Sequence, residues 1–120
     1  MRIFKNTWFD RFADREGITD DELREMVNRL EAGQSDANLG GGVYKVRVAR
    51  PGEGKSGGYR VILFFRSEDK AFCHYAYPKA ARDNIDEKEL RFFRKLAKIY
   101  LGMMDKQLTD AVKAGELIEI

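Results

Sequence analysis

Two strand-like stretches separated by a glycine-rich segment constrain this chain more than any other feature. The first is Val43-Tyr44-Lys45-Val46-Arg47-Val48-Ala49-Arg50, and the second is Tyr59-Arg60-Val61-Ile62-Leu63-Phe64-Phe65-Arg66. Both are rich in β-branched and aromatic residues, which fit a pleated, half-buried surface. The eight residues between them, Pro51 to Gly58, include four glycines and read as a flexible hairpin loop. Side chains alternate along a strand, so Lys45 and Arg47 share one face while Tyr44, Val46 and Val48 share the other. In the second stretch the apolar run Val61–Phe65 covers both faces, which places it centrally in a sheet. Ser67-Glu68-Asp69-Lys70 is a tight turn, and Ala71–Tyr77 reads as the next strand, giving an antiparallel meander.

The pairing of cations with a strand interior carries a functional implication. A cationic sheet face costs solvation free energy unless an anion lies on it. The 120 residues have a net charge of only +2, but it is unevenly spread. Residues 42–66 hold six Lys/Arg against Glu53 alone, whereas residues 1–41 are net acidic and residues 67–120 are balanced. The competing explanation is ordinary solvated charge on an edge strand. Several cations converging on one face favour the anion, and a phosphate backbone is the usual one.

Flanking segments read as helices. Arg2–Lys5 is a short first strand, and Asn6 or Thr7 caps a helix with Trp8, Phe9 and Phe12 on its apolar side. Thr19 and Glu22 form a capping box before a helix whose stripe is Leu23, Met26, Val27 and Leu30. Residues 33–42 read as a polar, glycine-rich loop. Asp86 and Glu89 cap a third helix bearing Leu90, Phe93, Leu96, Ala97 and Tyr100, which Gly102 weakens or breaks. A further helix is expected over about 105–114, and 116–120 alternates as a short last strand. The expected class is α+β in one domain spanning 1–120.

Composition excludes several functions. Cys73 is the only cysteine and His74 the only histidine, so neither an internal disulfide nor a multi-cysteine or histidine zinc site is available. No metal or other cofactor is expected. No apolar run of membrane-spanning length and no signal-peptide pattern occurs, so a cytoplasmic location without membrane association is expected. His74 has no recognisable catalytic partner and reads as a semi-buried core residue, alternating with Phe72 and Ala76. The glycines around Lys55 lack the strand–loop–helix context of a P-loop, so a mobile loop carrying Lys55 to RNA is the better account.

The candidate catalytic set is Lys45, Arg47, Arg60, Lys79 and Arg82. Arg60, Ile62 and Phe64 share a face, which lies beside Lys45 and Arg47 if the hairpin is in register. Tyr75 and Tyr77 fall opposite His74 on their strand, where they either stack on bases or belong to the core.

Assembled, these residues make the chain similar to RelE/HigB-type toxins of bacterial type II toxin–antitoxin systems, within the RelE/ParE superfamily. The resemblance spans nearly the whole chain. It rests on Val43-Tyr44-Lys45-Val46-Arg47-Val48, on Gly54-Lys55-Ser56-Gly57-Gly58-Tyr59-Arg60-Val61-Ile62, and on Tyr77-Pro78-Lys79-Ala80-Ala81-Arg82-Asp83-Asn84-Ile85. It implies a microbial-ribonuclease-like fold, with two N-terminal helices against an antiparallel sheet. It also implies cleavage of mRNA in the ribosomal A site and neutralisation by a cognate antitoxin, expected to be a helix-turn-helix DNA-binding protein. In that chemistry Lys45 or Lys79 is the base, Arg47 and Arg60 clamp the phosphate, and Arg82 is acid or clamp. The antitoxin is expected to be drawn to the cationic sheet and its glycine-rich loop. Two rivals share the sequence features: a gyrase-poisoning toxin on the same fold, and an RNA- or ribosome-binding domain without chemistry.

Overall fold

Local capping chemistry sets where each helix begins. In the computed structural model, which describes residues 1–50 and 54–120 and the side chains of 1–49 and 58–120, Asn6 Oδ1 accepts a hydrogen bond from Phe9 N at 2.6 Å. Thr19 with Glu22, and Asp86 with Glu89, both form reciprocal capping boxes. The element order is β1 (Arg2–Asn6), α1 (Thr7–Glu16), α2 (Asp20–Glu31), β2 (Ala37–Gly40), β3 (Val43–Arg50), β4 (Gly54–Arg66) and β5 (Lys70–Pro78). Then follow α3 (Glu87–Leu101), α4 (Asp105–Lys113) and β6 (Leu117–Glu119).

The strands form one six-stranded sheet in the order β2-β3-β4-β5-β1-β6. The expected meander β3-β4-β5 is antiparallel throughout. The sheet is not purely antiparallel, because β1 runs parallel to β5 and antiparallel to β6. Strand β4 is central, and Val61, Ile62, Leu63 and Phe64 are fully buried on alternating faces.

Helices cover both faces. On one, Phe9 and Phe12 of α1 and Leu23, Met26, Val27 and Leu30 of α2 pack against Val46, Val48, Val61 and Leu63. On the other, Phe93, Ala97 and Leu101 of α3 and Leu108 and Ala111 of α4 pack against Phe4, Val43, Ile62, Phe64 and Phe72. Burial of these two apolar layers, at about 25 cal/mol per Å² removed from water, is the main stabilising term. Lys5, buried at the base of the first layer, is held by Asp10 at 2.7 Å and Asp20 at 2.9 Å, which ties β1 to both N-terminal helices.

Three sequence expectations change. The segment 33–42 is not all loop: Ala37–Gly40 adds the edge strand β2, paired with β3 through an irregular register between Asn38 and Gly40. Its short polar sequence hides the strand, because pairing rather than hydrophobic alternation defines it. Strand β4 also begins at Gly54, earlier than the expected Tyr59. Of the expected loop, Pro51–Glu53 and the side chain of Lys55 lie outside the described residues.

The third change is in β5. Ile62 faces Tyr75 and Leu63 faces Cys73, so the register skips His74. This bulge breaks strict alternation. His74 therefore does not lie opposite the tyrosines. It stacks on Phe64 at 4.8 Å and meets Phe93 edge-on at 5.4 Å, on the α3 side where Tyr75 and Tyr77 also pack. Ala76 goes to the other layer. No described helix is long and apolar enough to cross a membrane.

Candidate functional site

The register between β3, β4 and β5 assembles the site. Lys45 pairs with Ile62 and Arg47 pairs with Arg60. Arg60 in turn pairs with Tyr77, and Ile62 with Tyr75. Cross-strand partners project to the same face, so Lys45, Arg47, Arg60, Tyr75 and Tyr77 occupy one surface on the α3 side of the sheet. The sequence expectation for the three cations holds, and the β5 bulge adds the two tyrosines to their face.

Arg47 and Arg60 are like charges placed directly opposite, an arrangement that destabilises a sheet. Asp36 offsets part of this, at 3.3 Å from Arg47 Nε. Arg60 is only 7% exposed, and its Nη1 is buried with no hydrogen-bond partner among the described residues. Across the strand, Tyr77 is 2% exposed and its Oη is likewise buried and unpartnered. Buried polar atoms without partners are rare in native folds, and each costs about 1–3 kcal/mol. Two on paired residues, one cationic and one a hydroxyl donor, are the complement of an anionic oxygen.

The segment after β5 closes one side. Arg82 lies over the ring of Tyr77, 5.4 Å from its centroid. Glu89, in the first turn of α3, accepts from both Nη atoms of Arg82, at 3.1 Å and 2.5 Å. Arg82 Nε donates to the Asn84 carbonyl at 3.0 Å. Lys45 Nζ reaches Asn84 Oδ1 at 3.4 Å, so Asn84 links β3 to this segment. Lys79 is exposed in the turn two residues beyond Tyr77, where its backbone N–H donates to the Gly58 carbonyl. Its side chain has no ion pair or hydrogen bond among the described residues.

Titration properties separate the roles these groups can fill. Hydrogen bonding to Glu89 holds the Arg82 guanidinium above the ordinary arginine value, and Arg82 in turn lowers the Glu89 carboxyl. A guanidinium so held is a permanent cation and a poor proton donor. Burial raises the Tyr77 phenol, against the opposing pull of Arg82 and Arg60, so its hydroxyl keeps its proton. Burial lowers the His74 imidazole to about 4, so it is neutral and uncharged at physiological pH. Its Nδ1 faces Asn6 Nδ2 at 3.1 Å, an amide and not a catalytic partner.

Tyr77 cannot offer its ring to a base, because the ring is enclosed; its hydroxyl is enclosed too, and has no hydrogen-bond partner among the described residues. Tyr75 is half-buried and already stacked on Trp8 at 5.0 Å. Asp36, Asn84 and Glu89 were not among the sequence candidates. Glu89 carried a visible signal only as a capping residue, a role it also performs.

A cationic, under-compensated strand face bordered by a helix N-terminus defines a small α+β protein suited to hold an anion on its sheet. Over residues 1–120 the sequence matches the family described as RelE toxin of RelE / RelB toxin-antitoxin system. The chain belongs to this family, and it is accordingly a toxin of a toxin–antitoxin system with a cognate antitoxin as partner.

Proposed function

We propose that the toxin is an endoribonuclease that cleaves mRNA on the translating ribosome. The observation that carries this reading is the Arg60–Tyr77 pair: a buried guanidinium and a buried phenol, cross-strand neighbours, each with an unpartnered donor atom. Both atoms are enclosed, so a phosphodiester satisfies them only after the segment following β5 moves aside on binding. Arg60 and Arg47 hold its non-bridging oxygens and offset the charge that builds on phosphorus. Lys45, or Lys79 from the turn, accepts the proton of the adjacent 2′-OH. The 2′-oxygen then attacks phosphorus, and the bond to the 5′-oxygen breaks. That oxygen takes a proton from Tyr77 Oη, leaving a 2′,3′-cyclic phosphate and a 5′-hydroxyl. Arg82, fixed by Glu89, acts as a positioned cation over Tyr77 and not as the acid. Lys55 and Tyr75 serve in this reading as RNA contacts. None of these steps requires a metal ion or another cofactor.

The test is cleavage of a defined mRNA on programmed ribosomes, read by primer extension, with a cyclic-phosphate-specific ligation to identify the 3′ end. Ribosome-dependent cuts with cyclic termini are expected. Intact mRNA together with trapped gyrase–DNA cleavage complexes would replace this reading with the gyrase-poisoning one. Salt-sensitive ribosome binding without cleavage would leave only a binding domain.

A further inference from the structure

Helix α3 packs one face on the sheet and leaves two large apolar side chains outside it. Phe93, Ala97 and Leu101 are buried against the sheet, and Leu96 is partly buried on the same layer. Beside Leu96, Phe92 is 57% exposed and Ile99 63% exposed. Scattered apolar side chains on a surface are ordinary. Phe92, Leu96 and Ile99 are not scattered: their 4-3 spacing sets them in one row along α3, the spacing by which a helix packs against another helix.

The flank of that row is uniformly basic. On the helical wheel the side away from the sheet is formed by Lys88, Arg91, Lys95 and Lys98, all exposed. None has an ion pair or side-chain hydrogen bond among the described residues. Of the acids nearby, Glu89 is engaged by Arg82, and Glu87, one turn before Arg91, forms no ion pair with it among the described residues. At the candidate site, by contrast, Arg47 and Arg82 already have carboxylate partners and Arg60 is buried. Helix α3 therefore presents a row of four accessible cations with no carboxylate partner among the described residues.

We infer that the Phe92–Leu96–Ile99 row of α3 is the docking surface for an acidic amphipathic helix of the antitoxin. The apolar row takes that helix's hydrophobic residues, and Lys88, Arg91, Lys95 and Lys98 take its carboxylates. A second copy of the toxin fits poorly, because it would bring this rim against a like-charged rim. Nucleic acid would leave the apolar floor uncovered. Phe92 lies one turn from Glu89, which anchors Arg82, so the bound helix abuts the candidate site. The inference rests on membership of the toxin family and not on the nuclease reading.

The experiment titrates the purified cognate antitoxin against the full-length toxin by calorimetry at low and high salt. Phe92→Glu and Ile99→Glu should each weaken binding by about tenfold or more, as loss of a central apolar anchor does. Both side chains are exposed, and unchanged thermal melts are expected. A Lys95→Glu/Lys98→Glu double variant should bind more weakly and lose most of the salt dependence. Unchanged affinity in both Phe92→Glu and Ile99→Glu overturns the proposal. So does a toxin that is dimeric alone and becomes monomeric on Ile99→Glu, since the occupant is then a second copy. Because binding is read without RNA, absence of cleavage by the wild-type toxin would overturn only the nuclease reading.

Discussion

Asn6 holds His74 through two hydrogen bonds from one amide nitrogen, to Nδ1 at 3.1 Å and to the His74 carbonyl at 2.9 Å, while its Oδ1 caps helix α1. A single side chain thus joins the start of α1 to the bulge of β5. The geometry requires His74 Nδ1 to accept, which only the neutral ring does.

Acidification should therefore weaken the fold through His74. Its folded value is about 4, against 6.5 for the free side chain. The unfolded chain binds the extra proton first, so stability is full above about pH 6.5 and falls as pH drops toward 4. The loss across that window is roughly 3 kcal/mol. In urea melts, His74→Gln should flatten the pH dependence between 6.5 and 4. The same variant should keep most of its toxicity near neutral pH. A loss of activity matching that of the arginine variants would make His74 an acid–base residue instead.

Arg60 is expected to matter for activity and not for stability. Arg60→Ala and Lys45→Ala should each abolish growth arrest, with cleavage reduced by about a hundredfold or more, the usual cost of losing a preorganised charge partner. Arg60→Met keeps the aliphatic volume and removes the like-charge pair with Arg47, so its thermal midpoint should equal or exceed that of the wild type. Full toxicity of both alanine variants at equal expression would mean the site lies elsewhere.

The hydroxyl of Tyr77 provides a sharper test, because it is a single atom. Tyr77→Phe removes a buried oxygen that has no partner. Folding stability should stay level or rise, since no hydrogen bond is lost. Cleavage should fall by about ten- to a hundredfold if the hydroxyl gives its proton to the leaving oxygen. Wild-type cleavage by Tyr77→Phe would return the acid role to another group.

These contrasts show what the sequence could convey. Strand alternation was enough to put Lys45, Arg47 and Arg60 on one face, because β3 and the relevant part of β4 keep regular register. It failed in β5, where one extra residue at His74 moves Tyr75 and Tyr77 to the cationic face; nothing in the local residue types marks that bulge. Edge strand β2 was hidden for a related reason, since its polar residues pair without alternating. The capping boxes at Thr19 and Asp86 were legible because they are local. The engagement of Arg82 by Glu89 spans a turn and a helix start, and no local pattern encodes it.

Gly58 tests how tightly the β3–β4 hairpin must close. A Cβ built on Gly58 would lie 2.1 Å from the Val48 carbonyl oxygen and 3.0 Å from its carbon. Both are backbone atoms of a paired strand, so neither can move aside as a flexible side chain would. Gly58→Ala should therefore cost about 3 kcal/mol or more, at the upper end of overpacking effects. Gly33 is the comparison: it has φ +80, but a Cβ there meets nothing within 4 Å. Gly33→Ala should cost only about 1 kcal/mol, from backbone strain alone. Gly58 also lies two residues before Arg60. Prying the strands apart there displaces Arg60 from Arg47, so Gly58→Ala should lose cleavage even at temperatures where it remains folded. Denaturant melts and cleavage assays on both variants check this. Equal destabilisation of the two would show that strand contact at Gly58 does not set the hairpin.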